Sequence, residues 1–243
     1  MVVLNQLNSD NPNCYDLSFM YTKRCNLSCS FCMYSSGPEL TETIDLYALG
    51  AWLETVDPNK IASFGIYGGE PSIETRGFGR CLILARKAIG PKPCFVITNG
   101  SWSTDPKKTE DFLFFCGQHH LHVVISGTPE HRKFQDRPAL EQVVSTQPDA
   151  FRLKPLEENF HAMGRLEGKM KFSCSTKCMS WKRAVRIAVQ PDGTIIYQNC
   201  DGVYPVVGNL KEDFNLIDER IQAMRSIGFD SVCPHFKKLE VAT

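Results

Sequence analysis

Cys25, Cys29 and Cys32 stand as CxxxCxxC in the segment CNLSCSFC, three thiols within eight residues. A tight loop can point alternate side chains inward, so the three can converge on one small object. Deprotonated thiols bind zinc and iron, and that object is therefore read as a metal centre. A three-thiolate zinc site would want a fourth ligand nearby, and three unrelated packed thiols are the blander reading. Three thiolates can also hold three irons of a cubane and leave the fourth iron open to chemistry.

A second group, Cys174, Cys178, Cys200 and Cys233, gathers toward the C-terminus. Four thiolates could ligate a further cubane, and a structural zinc ion is the alternative. Asp201 follows Cys200 directly. Beside a cluster its carboxylate could accept a proton from an oxidised substrate, although aspartate at a strand exit is commonly a turn former. Cys14, Cys81, Cys94 and Cys116 fall near the N-terminus or on apolar faces and read as packed thiols. His119, His120 and His122 alternate faces on a segment leading into a strand, which favours exposure over a shared metal.

The elements that must carry these groups follow from periodicity. Leu17, Phe19 and Tyr21 alternate, as do Ala62, Phe64 and Ile66, then Cys94, Val96 and Thr98, then Leu121, Val123 and Ile125, with a fifth strand at Phe151-Arg152-Leu153-Lys154-Pro155. Between them, Leu46, Leu49, Trp52 and Leu53 share a helical face. So do Phe78, Leu82, Ala85 and Ile89, and Phe112, Phe115 and Cys116 suggest a third. Strand-helix alternation implies a parallel sheet with functional loops at the carboxyl ends of its strands. Val185, Ile187 and Val189, the turn Pro191-Asp192-Gly193, and Thr194 to Tyr197 read as a β-hairpin. A helix over 212–226 is expected to follow it, from the spacing of Phe214, Ile217, Ile221 and Met224.

Composition bounds the rest. The chain has 243 residues, 42% hydrophobic and 22% charged, which excludes a disordered or low-complexity chain. Eleven cysteines in a protein too large to need disulfides for stability, and with no export signal expected, call for explanation as thiols. No apolar run approaches the about 18 residues of a membrane span, and the first residues resemble no signal peptide. The expectation is a cytoplasmic protein with no membrane partner. Lys plus Arg and Asp plus Glu balance at 27 each, so no global field draws the molecule to polyanions.

The motifs in order resemble the radical S-adenosylmethionine (radical SAM) superfamily. Its hallmark is CxxxCxxC after the first strand of a partial (β/α)6 barrel, with an aromatic residue before the last cysteine, here Phe31. Gly68-Gly69-Glu70-Pro71 after the second strand matches the family's GGEP segment, which is expected to take the amino group of the methionine moiety. Glycines let a backbone come close, and a glutamate can accept from an ammonium. Thr98-Asn99-Gly100 after the third strand matches TNG, and Ser126 stands where the family often puts a serine that contacts SAM. His131 and Arg137 echo a following His-Arg-Gly pattern, with Pro138 in the glycine's place.

The C-terminal cysteines around the hairpin resemble the SPASM extension or its shorter twitch form. The resemblance thus implies an α/β chain with a partial barrel over 1–160 and a twitch-like hairpin-plus-helix extension over 161–243. Cys174, Cys178, Cys200 and Cys233 would then hold a second [4Fe-4S] cluster, and Asp201 would be the proton acceptor that such relatives use.

The implied activity is that of an enzyme. A [4Fe-4S] cluster on Cys25, Cys29 and Cys32 binds SAM at its open iron and reductively cleaves it. The 5'-deoxyadenosyl radical released abstracts hydrogen from an organic substrate. An electron donor such as flavodoxin or ferredoxin is the implied partner. The substrate class expected first is a peptide or amino-acid side chain, for which an exposed strand edge would serve as a dock. A small molecule, or a nucleobase or nucleobase-linked amino acid, is the alternative. A nucleic-acid version should present a basic groove, to which Lys23, Arg24, Arg132, Lys133, Arg152 and Lys154 could contribute. From another class, a non-catalytic iron-sulfur or zinc protein would explain the thiols but not the motifs at successive strand ends.

Overall fold

The structure, a computed structural model, describes residues 14–32, 34–154, 185–198 and 205–226. Cys174, Cys178, Cys200, Asp201 and Cys233 lie outside the described residues. Five strands, β1 (Tyr15–Met20), β2 (Ile61–Tyr67), β3 (Cys94–Thr98), β4 (His122–Ile125) and β5 (Phe151–Leu153), alternate with helices as the periodicity predicts. The helices are α1 (Leu46–Leu53), α2 (Thr75–Ile89), α3 (Pro106–Gln118), a four-residue α4 (Pro129–Arg132) and α5 (Arg137–Thr146). The hairpin strands β6 (Val185–Val189) and β7 (Thr194–Tyr197), the strand β8 (Val206–Asn209) and α6 (Phe214–Ser226) follow.

Among the described residues, one sheet holds eight strands in the order β5-β4-β3-β2-β1-β6-β7-β8. The pairs from β5 to β1 are parallel, and each strand returns through a helix, as parallel neighbours require. A sixth parallel strand, β6, joins the outer edge of β1 rather than following β5. Its register explains the choice, since Val185, Ile187 and Val189 pair with Tyr15, Leu17 and Phe19 and extend the same apolar face. The β6–β7 turn closes through Gly193 at φ 84°, with the Asp192 carboxylate accepting from the Thr194 N–H at 2.9 Å.

Strand alternation gives the sheet two unlike faces. Leu17, Phe19, Phe64, Ile66, Val96, Val123, Ile125 and Ile187 pack beneath the helices in one core, with Trp52, Phe78, Leu82, Phe112, Leu140 and Phe214 supplied from above. Each such Leu or Phe buried is worth about 1.5–3 kcal/mol. The opposite face carries Asp16, Ser18 and Ser63 from β1 and β2. Helix starts are set by side chains: Asp45 caps α1, Asp105 caps α3 ahead of Pro106, and Asp136 caps α5. α6 is tied back by Asp218, which accepts from the Tyr15 hydroxyl and pairs with Lys60 Nζ at 2.6 Å.

Candidate functional site

Between β1 and α1 the chain makes a long excursion that carries Cys25, Cys29 and Cys32. Its base is stitched by backbone bonds. Lys23 N–H donates to Glu42 O at 3.0 Å, Gly37 N–H to Lys23 O at 3.1 Å, and Cys25 N–H to Gly37 O at 3.1 Å. Within the loop, the Cys32 N–H donates to Cys29 O at 3.2 Å, and Leu27 packs beside Cys25 and Cys29. Burial pushes the Cys25 thiol up to about 11.

The sulfurs receive N–H donors. Leu27 N–H points at Cys25 Sγ at 3.4 Å, the Asn99 side-chain amide at the same sulfur at 3.8 Å, and Ser36 N–H at Cys32 Sγ at 3.3 Å. Such donors match thiolates in an iron-sulfur centre, where hydrogen bonds to sulfur are a standard second layer of support. The three thiols with their donors therefore fit the cluster that the sequence motif implies. Among the described residues, no three His, Cys, Asp or Glu side chains are gathered so as to hold one metal ion. A zinc ion needs its thiolates drawn about a single point, whereas a cubane takes each thiolate on a different iron.

The GGEP segment lies directly against this loop. Gly69 N–H donates to Thr22 O at 2.6 Å and Glu70 N–H to Arg24 O at 3.0 Å. A Cβ on Gly69 would fall 1.8 Å from Arg24 O and 2.2 Å from its carbonyl carbon, so only glycine fits there. Gly68 also lies close to Thr22, where a Cβ would come 3.1 Å from the Thr22 carbonyl oxygen, a tight contact rather than an overlap. Pro71 is buried at the start of a short 3-10 turn, Pro71–Ile73, that Glu70 caps.

Glu70 is 0% exposed. One oxygen accepts from the Thr98 hydroxyl at 2.7 Å and the Ser72 N–H at 3.1 Å, and the other from the Asn99 N–H at 2.7 Å. Burial has the largest influence and holds the carboxyl above its ordinary range, while these bonds oppose it. All three partners donate, so the ionised form is the one they match. In this arrangement Glu70 joins the ends of β2 and β3.

Asn99 is equally committed. Its amide nitrogen donates to Asn26 Oδ1 at 3.0 Å as well as toward Cys25, and its oxygen accepts from the Ser101 N–H at 2.9 Å. Thr98 Oγ1 accepts from the Gly100 N–H and from the Trp102 indole, each at 3.1 Å. Ser126, after β4, donates its N–H to Thr98 O at 2.9 Å, and its half-buried hydroxyl makes no hydrogen bond among the described residues.

Three side chains that sequence reasoning passed over complete the assembly. Gln135 Nε2 donates to Asn99 O at 2.7 Å and to Ser126 O at 2.8 Å, clipping the ends of β3 and β4 together. Glu130 grips Ser30 through both oxygens, accepting from its N–H at 3.0 Å and its hydroxyl at 2.6 Å, which holds the Glu130 carboxyl below its ordinary range. Asn26 links Asn99 to Ser101 Oγ. Sequence reasoning singles out none of the three, although Asn26 lies inside the CNLSCSFC segment and Glu130 precedes His131. The His131 ring meets Phe31 edge-on at 5.5 Å, while Arg137 reaches Gln135 at 3.3 Å. Glu130, Ser30, Phe31 and His131 together dock the cysteine loop onto α4.

The remaining sequence candidates are placed as follows. Cys81, Cys94 and Cys116 are buried in the core, and burial pushes the Cys94 thiol up to about 12. Cys14 is half-buried. His120 is exposed, but His119 and His122 are half-buried. His119 packs on Phe115, and His122 stacks on Phe95 with its Nδ1 3.2 Å from Asp149 O. Of the cations that could form a basic groove, Arg24 pairs with Glu74 at 2.6 Å and Arg132 Nε donates to Gly127 O at 3.1 Å. Arg152 and Lys133 are exposed.

A family model described as the Radical SAM superfamily matches residues 19–146. Comparison with curated proteins finds no match. Among solved structures, BtrN in complex with AdoMet and 2-DOIA superposes with a TM-score of 0.61 at 15% identity, covering 87% of this chain and 85% of that one. BtrN in an open conformation gives 0.54 at 15% identity, over 87% and 83%. anSMEcpe with bound AdoMet and the Cp18Cys peptide gives 0.45 at 13% identity, over 84% and 80%. At these identities the likeness to the BtrN structures is one of fold. No helix among the described residues is long and apolar enough to cross a membrane.

Proposed function

From the premise that the chain belongs to the radical SAM superfamily, we propose that Cys25, Cys29 and Cys32 ligate the [4Fe-4S] cluster of an enzyme that removes hydrogen from a peptide or amino-acid side chain. The observation that carries this reading is the convergence on one loop of three thiols, N–H donors to two of their sulfurs, and the GGEP backbone packed against Arg24 and Cys25. When bound, the cluster and SAM supply one-electron cleavage of the sulfonium and a carbon-centred radical.

The chain's own residues have three tasks. The turn from Cys29 to Cys32 and the Glu130–Ser30 grip hold the loop in place. Glu70 and Gln135 fix the ends of β2, β3 and β4 relative to one another, so the surface that faces SAM is formed before it binds. Phe31, Gly68, Gly69, Glu70, Pro71, Thr98, Asn99 and Ser126 are the proposed SAM-side residues. Ser126 brings a hydroxyl with no other partner among the described residues, and the GGEP and TNG segments contribute through their backbone.

The peptide reading is supported by β5 and β8, which end the sheet among the described residues and leave strand edges for an extended chain. A small-molecule substrate is the second reading, favoured by the fold's likeness to BtrN, whose structure holds 2-DOIA. Residues 161–243 are proposed as a twitch-like extension in which Cys174, Cys178, Cys200 and Cys233 bind a second cluster beside Asp201 as proton acceptor. A donor such as flavodoxin or ferredoxin supplies the electron.

Anaerobically reconstituted enzyme is incubated with SAM and reductant, then challenged with peptide, nucleoside and small-molecule pools. The expected result is 5'-deoxyadenosine whose yield rises with one pool. The triple variant Cys25→Ala, Cys29→Ala, Cys32→Ala should make none, and retained production would overturn the site. Iron of about eight per chain supports two cubanes, and about four removes the second.

A further inference from the structure

We propose that Asn99 sets the reduction potential of the cluster on Cys25, Cys29 and Cys32 by donating a hydrogen bond from its side-chain amide to Cys25 Sγ. The inference rests on the cluster assignment above and adds a role for Asn99 that does not depend on contact with SAM.

The orientation of the amide follows from its partners. The Ser101 backbone N–H can only donate, and it lies 2.9 Å from Asn99 Oδ1, so that position must be oxygen. The nitrogen then faces Cys25 Sγ at 3.8 Å and Asn26 Oδ1 at 3.0 Å. An amide nitrogen carries two hydrogens, one for each. Asn26 is oriented in turn, because its own nitrogen donates to Ser101 Oγ at 2.8 Å. The backbone end is held separately, by Glu70 on the Asn99 N–H and by Gln135 on the Asn99 carbonyl. Asn99 is 5% exposed, so water does not compete for the sulfur at this point.

An N–H aimed at a thiolate stabilises negative charge on the sulfur. Reduction adds one negative charge to the cluster, so the reduced state gains more from the donor and the potential rises. In a buried setting the effect is little screened. Among the described residues Cys25 thus has two donors, the Leu27 N–H and the Asn99 amide, and the second can be deleted by mutation without touching the backbone.

The test is a redox titration of the reconstituted full chain, followed by electron paramagnetic resonance of the reduced cluster. The signal absent from the triple cysteine variant identifies the cluster concerned. Asn99→Ala should make reduction about threefold to tenfold less favourable, a fall of about 28 to 59 mV for one electron. Asn99→Asp keeps the shape but replaces the donor by an acceptor and should fall at least as far. Asn26→Ala loosens the same loop while leaving the donor to Cys25, and should move the equilibrium by less than about twofold, on the same constant.

An unchanged potential in Asn99→Ala overturns the proposal. An equal fall in Asn26→Ala also overturns it, since loop packing would then be the cause. Failure of both Asn99 variants to take up iron, with Asn26→Ala intact, overturns it in favour of a role in assembly. Absence of any signal that depends on the three cysteines refutes the cluster assignment instead.

Discussion

Replacing Glu70 by glutamine changes one oxygen to an NH2 group and leaves the shape alone, yet neither orientation of the new amide satisfies its surroundings. With its oxygen toward Thr98 and Ser72, the amide nitrogen faces the Asn99 N–H, 2.7 Å away in the parent, donor against donor. With the oxygen toward Asn99, the nitrogen faces the Ser72 N–H and the Thr98 hydroxyl. That hydroxyl already accepts from Gly100 and Trp102, and its single hydrogen would lose its acceptor. At least one buried donor is stranded either way, which costs about 1–3 kcal/mol, with more because the lost bonds were to a charged group.

A loss of about 2–3 kcal/mol is expected, which at about 2–4 °C per kcal/mol for a chain of this length lowers Tm by about 4–12 °C. The comparator is Glu74→Gln. Its ion pair with Arg24 has side chains 28% and 52% exposed, and such pairs contribute about 0–1 kcal/mol. Calorimetry of parent and both variants, reconstituted in parallel, reads the difference. If Glu70→Gln melts within about 1 °C of the parent, or no lower than Glu74→Gln, the argument that Glu70 ties β2 to β3 is wrong.

Two further changes test other parts of the assembly. Gly69→Ala drives a methyl group into the Arg24 carbonyl, and since both partners are backbone the cysteine loop must shift. Iron uptake should fall severalfold while far-ultraviolet circular dichroism stays near the parent's, and normal uptake would refute the close packing. Asp16 is buried on the polar face with Ser63 Oγ donating to it at 2.6 Å, and burial first of all moves its pKa from 3.8 up to about 6. The folded chain then binds more protons than the unfolded chain between those values, so this contribution is complete below pH 3.8 and is lost as pH rises through 6. Relative to Asp16→Asn, the parent should therefore lose roughly 2–3 kcal/mol in urea unfolding between pH 4 and pH 7. A difference that is flat with pH, or rises with it, contradicts this.

Much of this was legible in local spacing. Alternation at period two places Leu17 and Phe19, or Phe64 and Ile66, on one face of a strand, and period 3.6 aligns Phe78, Leu82, Ala85 and Ile89, because backbone geometry alone sets where neighbouring side chains point. The same is true of the Pro191-Asp192-Gly193 turn and of three thiols close enough in sequence to share a loop.

What spacing does not carry is the choice of partner across long separations. Nothing in Val185 to Val189 says that they will pair with β1 rather than with β5, since that depends on which edge is free when the sheet forms and which register continues the apolar face. Nor does the motif around Glu70 say that its carboxylate will meet Thr98 and Asn99, 28 and 29 residues on, or that Glu130 will hold Ser30 across 100 residues. A carboxylate at a strand end can serve a ligand or the fold, and burial selects between them. Once enclosed, its charge must be matched by whichever donors the sheet brings within reach.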